Sequence, residues 1–277
     1  MVNASLVLYH NPKTDIDRLL DCVLRSCIGF LFIVDHSETD EFGYLESISD
    51  RVRYTRTANH GYGTGHNLGF RLAQEVAESR YHIVLNPDVY FEPSAISAIV
   101  EYMETHPQVG QLMPEILYPD GRHQQLCKLL PTPWDIIVHY LAPAPIRRRH
   151  DRRYYLNTEH LENELEVPYI AGCFMFFRSE CFRTIDGFDP RFFMYFEDND
   201  ITRRMGTVAR TVYFPGAKVF HSYNSAYRYS LKMLRASAVS AVRYFSKWGW
   251  LVDPQRRRIN EQTLSQISEM IHTDRTH

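Results

Sequence analysis

The densest group of chemically useful side chains is Glu197-Asp198-Asn199-Asp200, which follows the apolar run Phe192-Phe193-Met194-Tyr195-Phe196. Carboxylates beside an apolar wall lose solvation and gain proton affinity. A carboxylate so placed can act as a general base near neutral pH, and Asp198 is the candidate, with Glu197 beside it. Tyr195 and Asp200 flank the pair and are candidates to contact an acceptor. The acids also sit where a helix would begin, so part of their charge suits a helix N-terminus.

Three further candidates stand at the ends of short apolar runs. Asp35 follows Leu31-Phe32-Ile33-Val34 and can accept hydrogen bonds from a base or ribose. Asp88 follows Val84-Leu85-Asn86-Pro87. A lone carboxylate there suits a hard divalent cation, Mg²⁺ or Mn²⁺, which takes one or two carboxylates plus substrate phosphates. Asn86 offers a carbonyl oxygen next to it. His221 follows Val219-Phe220 and offers an imidazole to a metal or a phosphate oxygen. Each of these residues also has a plain structural reading as a turn former or a core histidine.

Between them lies Asn59-His60-Gly61-Tyr62-Gly63-Thr64-Gly65-His66-Asn67. Glycines at alternate positions allow close backbone approach, and the amides of Gly61 and Gly63 can face a diphosphate. Asn59 and Asn67 bracket this turn as polar nucleotide contacts. The Lys-Ser/Thr ending of a P-loop is missing.

The elements that must position these groups alternate. Apolar runs at Ser5–Tyr9, Phe30–Val34, Val52–Tyr54 and His82–Leu85 are separated by helical spacings at 16–27, 68–77 and 96–103. That order predicts an α/β fold: a Rossmann-like, mainly parallel sheet with helices on both faces. Ligands of such sheets bind beyond the carboxyl ends of the strands, where Asp35 and Asp88 fall. Residues 119–167 are broken by Pro131, Pro133, Pro143 and Pro145 and read as an irregular excursion. Val212–Phe214 and Val219–Phe220 read as two short strands, and Leu231–Phe245 as a helix. The division is a main domain over 1–230, with a nucleotide-binding half over 1–115 and an acceptor half over 116–230. A helical extension covers 231–277.

Composition excludes some classes. A net charge of -2 gives no general attraction to nucleic acid. Five cysteines without a CxxC pair argue against a disulfide framework or zinc knuckle, and fit a reducing cytosol. The start, MVNASLVLYH, does not read as a signal peptide, and no run approaches a membrane span. The expected location is cytoplasmic. Arg147, Arg148, Arg149, Arg152 and Arg153, with a basic apolar helix over 231–250, leave peripheral membrane contact open. For that helix, packing on the domain or a homo-oligomer contact is the plainer reading.

Taken in order, the landmarks Ile33-Val34-Asp35, Asn59 to Asn67, Asn86-Pro87-Asp88-Val89, Gly172-Cys173-Phe174-Met175, Gly187-Phe188-Asp189 with Tyr195 to Asp200, and His221-Ser222 with Ser225 resemble glycosyltransferase family 2. These are inverting enzymes of the GT-A fold, and the likeness is strongest to the rhamnosyltransferase-like group of bacterial surface-polysaccharide assembly. The resemblance implies that Asp35 holds the base or ribose, Asp88 the metal, and His221 the metal or leaving diphosphate. It makes Asp198 the base and Glu197 its neighbour. It implies a dTDP- or UDP-linked sugar donor and a glycan or polyprenyl-diphosphate-linked acceptor at the inner membrane face. Asn86 departs from the family's metal motif, which often has an acid there. His36-Ser37 departs after Asp35. A glycosidase would need no nucleotide-binding half. A non-catalytic sugar-nucleotide or polysaccharide-binding module would leave the acidic cluster without work.

Overall fold

A computed structural model of the chain describes residues 1–159, 161–222 and 231–274. Ser225 lies outside them.

The first 85 residues alternate as their sequence pattern requires. β1 (Val2–Leu8), β2 (Ile28–Asp35), β3 (Val52–Arg56) and β4 (Tyr81–Leu85) are joined through α1 (Lys13–Arg25), a 3₁₀ turn (Gly43–Ser47) and α2 (Tyr62–Val76). These four strands run parallel in the order β3-β2-β1-β4. Every residue of β4 is buried, as expected of a strand covered on both faces. α1 turns Ile16, Leu19, Leu20 and Val23 onto the sheet at spacings of three and four.

The second half adds β5 (Val89–Phe91), α3 (Pro93–Thr105), β6 (Val109–Leu117), α4 (Pro133–Leu141), α5 (Ala144–Tyr154), β7 (Leu165–Glu166), β8 (Phe174–Arg178), α6 (Ser179–Thr184), α7 (Glu197–Met205), β9 (Arg210–His221), α8 (Leu231–Trp248) and α9 (Pro254–Asp274). Here the sheet is mixed. β8 lies antiparallel between β4 and β6, and β5 and β7 lie antiparallel to β9, while β6 and β9 are parallel. Because β8 inverts once on each side, β6 and β9 again run in the direction of β4. Their carboxyl ends therefore share one edge with those of β1, β2 and β4.

Two local expectations are corrected. The pair of short strands at 212–220 is one strand, β9. The register jumps from Pro114↔Phe214 to Glu115↔Lys218, so Pro215, Gly216 and Ala217 form a bulge within it. The excursion at 119–167 contains two helices. The first, α4, is fixed by a capping box in which Thr132 and Asp135 satisfy each other's backbone.

The C-terminal helices pack back on the rest of the chain. Tyr244 and Phe245 of α8 close over Phe192 and Phe196 to form a second small core. Ile267 and Met270 of α9 pack against the main core. No described helix is long and apolar enough to cross a membrane.

Candidate active site

Asp198 opens α7, and the chain reaches it through strained backbone. Tyr195 (φ 68°) and Phe196 (φ 64°) are both left-handed. For bulky residues that conformation costs roughly 1–3 kcal/mol each and persists only where packing enforces it. The enforcing contacts are visible. Phe196 is buried against Tyr244 and Phe245, and the Met194 carbonyl accepts from Ser240 Oγ at 2.8 Å. Tyr195 is half-buried beside them. The strain turns Glu197 inward and leaves Asp198 partly open.

The Asp198 carboxylate is held at both oxygens. The Tyr169 hydroxyl donates to Oδ2 at 2.6 Å, and the Asn199 backbone and side-chain nitrogens donate to Oδ1 at 2.8 and 2.9 Å. The Lys128 ammonium sits 3.8 Å from the Tyr169 ring centroid. Glu197 is buried, and its Oε2 has no hydrogen-bond partner. Burial, and then the charge of Asp198, push its carboxyl well above the ordinary range. A gain in proton affinity of the kind foreseen for the cluster is thus present at Glu197.

Asp88 and His221 meet where β5 pairs with β9, His221 Nε2 lying 3.3 Å from Asp88 Oδ2. Gln124 Nε2 donates to the carbonyls of His221 (2.7 Å) and Leu117 (3.3 Å), so its Oε1 must be the atom facing His221 Nδ1 at 3.0 Å. That contact requires the hydrogen on Nδ1. Nε2 is thereby left facing Asp88 Oδ2, and the imidazole and carboxylate together are a donor pair that could hold a divalent cation. Among the described residues no group of three or more His, Cys, Asp or Glu surrounds a single point. Two protein donors, with diphosphate and water completing the shell, fit the habits of Mg²⁺ and Mn²⁺. Asn86 stands beside them, half-buried, its backbone amide donating to the Cys173 carbonyl at 2.9 Å.

The two carboxylates share one neighbourhood. Cys173 is buried at the head of β8, and burial, then the charge of Asp88 and more weakly that of Asp198, push its thiol upward. Tyr62 is likewise raised by burial and then by Glu197, Asp198 and Asp88. Its hydroxyl donates to the Gly172 carbonyl at 2.5 Å, which ties α2 to the loop before β8.

Asp35 is fully enclosed. Its Oδ1 accepts from the Ser37 amide and its Oδ2 from the Tyr54 hydroxyl, each at 2.8 Å. Burial and the neighbouring Asp35 and Asp40 keep the Tyr54 phenol protonated, so it remains a donor. A nucleotide that contacts Asp35 must therefore displace or share these bonds.

Four further candidates have close structural partners. A Cβ on Gly61 (φ 100°) would lie 2.3 Å from the Phe193 carbonyl oxygen, and one on Gly63 would lie 2.7 Å from Phe188 Cβ. The amide of Gly61 is taken by Asn59 Oδ1 and that of Tyr62 by the Phe193 carbonyl. These two glycines let α2 press against the aromatic segment, and the Gly61 amide is spent on Asn59 within the turn. Asn67 is spent in the same contact, donating to the Phe188 carbonyl at 2.7 Å and accepting from its amide at 2.8 Å. Asn59 stays exposed at the head of the turn. Asp200 is committed to internal bonds. It is fully buried and bonded to Arg204 Nε (2.7 Å), Lys247 Nζ (2.7 Å) and Trp248 Nε1 (2.9 Å).

Sequence reasoning missed Tyr169, Lys128 and Gln124. Each is an isolated residue in an irregular stretch, and only its fold neighbours mark it.

Known proteins share this architecture. The chain is 32% identical over 173 residues to an N-acetylglucosaminyl-diphospho-decaprenol L-rhamnosyltransferase of Mycobacterium tuberculosis, covering 59% of this chain and 56% of that protein. It is 24% identical over 221 residues to the rhamnosyltransferase WbbL of Escherichia coli, covering 76% and 77%. The chain thus spans about half the length of the first of these relatives. Among solved structures, GalNAc-T7 with UDP, GalNAc and Mn²⁺ superimposes with a TM-score of 0.64 at 16% identity, over 89% of this chain and 48% of that one. The mannosyltransferase PcManGT of Pyrobaculum calidifontis, with GDP-Man and Mn²⁺, gives 0.59 at 15% identity, over 94% and 68%. At such identities the likeness establishes the GT-A fold. The glycosyl transferase family 2 model matches residues 6–185, well over half the chain, and the protein belongs to that family.

Proposed function

We propose that this chain is an inverting glycosyltransferase that moves a hexose, rhamnose by analogy with its relatives, from a nucleoside-diphosphate donor to a hydroxyl of a lipid-linked glycan. The observation that supports this reading is that Asp88, 3.3 Å from His221, and Asp198 both lie near enough to the buried Cys173 thiol for their charges to act on it. A base and a diphosphate-side pair so placed can act on the two ends of a single transfer.

In this reading the acceptor hydroxyl gives its proton to Asp198 while its oxygen attacks the anomeric carbon, and the bond from that carbon to the diphosphate oxygen breaks. Tyr169 and Asn199 fix the carboxylate in line, so little reorganisation is needed during transfer. Asp88 and His221 would hold a divalent ion, whose chemistry when bound is to neutralise charge on the departing diphosphate. Asn59 and Asn86 remain candidates for donor contacts, Tyr195 for the acceptor, and Asp35 for ribose once its internal bonds are exchanged. A lipid-linked acceptor would bring the enzyme to the cytoplasmic face of a membrane.

Thermal-shift titration with dTDP, UDP and GDP, each with and without Mn²⁺, tests the reading. One nucleotide should raise Tm in a Mn²⁺-dependent way, and Asp88→Asn should abolish the Mn²⁺-dependent part. No shift with any nucleotide would refute the donor assignment.

A further inference from the structure

α4 and α5 form a surface that the proposed transfer does not use. Trp134, Ile137 and Leu141 fall at spacings of three and four, so they line one stripe of α4. They are 64%, 47% and 77% exposed. Ile146, 56% exposed, begins the same kind of stripe on α5, followed by Arg149 and Arg153. α5 buries no residue at all. The two helices are fastened by His150 Nε2, which lies 2.6 Å from Asp135 Oδ1.

The charge is equally one-sided. Arg147, Arg148, Arg149, Arg152 and Arg153 crowd α5, while the whole chain carries a net charge of -2. Among the described residues none of the five joins an ion pair. The nearby acids Asp135 and Asp151 are both turned to His150. An apolar stripe bearing Trp, beside unpaired arginines, is the chemistry that inserts at the headgroup level of an anionic bilayer. A second copy of the chain paired through this same face would set arginine against arginine. A nucleic acid would satisfy the arginines but leave Trp134, Ile137 and Leu141 in water.

We propose that the α4–α5 hairpin docks the enzyme on an anionic lipid surface. The hairpin leads directly to the candidate base. Tyr155, at the end of α5, bridges to Lys128, whose ammonium lies on the Tyr169 ring, and the Tyr169 hydroxyl holds Asp198. Docking here would bring membrane-anchored acceptors to the base side of the site; that purpose rests on the function proposed above, although the surface itself does not.

The test is co-sedimentation of the full chain with vesicles of equal parts phosphatidylglycerol and phosphatidylcholine, against pure phosphatidylcholine. The wild type should bind the anionic vesicles and be released by salt. Replacing Arg147, Arg148 and Arg149 together by Gln should weaken partition by about a hundredfold. The pair Trp134→Ser and Leu141→Ser should weaken it at unchanged net charge. Both variants should keep the wild-type Tm and transfer to a water-soluble acceptor. Equal binding to neutral vesicles, no binding, or unchanged binding by the arginine variant would overturn the proposal. So would self-association or DNA binding that the same substitutions abolish while vesicle binding is unaffected. Failed vesicle binding with intact soluble transfer would remove this surface alone. Intact vesicle binding without transfer would instead remove the proposed function.

Discussion

The Tyr169 hydroxyl donates to Asp198 Oδ2 at 2.6 Å from a segment 29 positions earlier in the chain. That bond fixes the direction of the one partly open carboxylate in the acidic cluster. Asp198→Asn should lower kcat by roughly 10²-fold or more, with donor binding retained. Tyr169→Phe should lower kcat by roughly tenfold with KM for the donor little changed, because the base is kept but its aim is loosened. Steady-state kinetics on both variants check this. Near-normal turnover in Asp198→Asn would exclude it as the base.

Glu197 gives a pH signature in stability. Its folded carboxyl is raised well above its ordinary 4.5 by burial and by Asp198. Below that value both folded and unfolded chains hold the proton, and there is no cost. As pH rises past 4.5, the unfolded chain releases the proton while the fold keeps it. Stability then falls by about 1.4 kcal/mol per pH unit until the folded group ionises. Glu197→Gln keeps the shape and removes the titration. Urea unfolding should show the variant gaining on the wild type as pH rises from 4.5 towards neutrality. Parallel curves would mean that Glu197 ionises in the fold as it does in water.

Gly61→Ala should be disruptive out of proportion to its size. The new methyl would collide with backbone at Phe193 and must adopt φ near 100°. A loss of about 2 kcal/mol or more is expected from the strain alone. The displaced segment leads straight into Glu197-Asp198, so activity should fall further than stability. Comparing Tm with kcat measures the two losses separately.

The extension should matter to the site. Arg203 of α7 pairs with Asp253, ahead of α9, through bonds of 2.6 and 2.7 Å with both side chains buried. Asp253→Asn leaves that guanidinium uncompensated and should cost about 3–5 kcal/mol. Changing Arg203→Met and Asp253→Leu together should cost much less, since no charge is stranded. Chemical denaturation of the three proteins decides this. Equal losses would show that packing, not charge, fastens the extension.

Alternation of apolar runs with helical spacings sufficed to place β1 to β4, α1 and α3 within a few residues, because period and breaker residues are local properties, whereas α2 starts at Tyr62, inside the stretch read as a glycine-rich turn. The strand-end positions of Asp35 and Asp88 were legible for the same reason: each follows a short buried apolar run. The order of β8, β6 and β9 was not legible, since antiparallel insertion depends on pairing across long stretches of chain. Nor were the helices of 119–167, whose prolines mark helix starts as readily as breaks.

Among the three acids at 197–200 the sequence could not separate three roles. Asp198, Glu197 and Asp200 have the same kind of carboxyl, and only their surroundings differ. Tertiary packing left Asp198 partly open, buried Glu197 without a donor at Oε2, and gave Asp200 to Arg204, Lys247 and Trp248. The glycines at 61 and 63 announced close approach, and the fold decided that what approaches is Phe193 and Phe188. Residue type fixes which chemistry is available to a side chain. Desolvation and partners, which come from distant parts of the chain, fix whether that chemistry is exposed, suppressed or spent on holding the structure together.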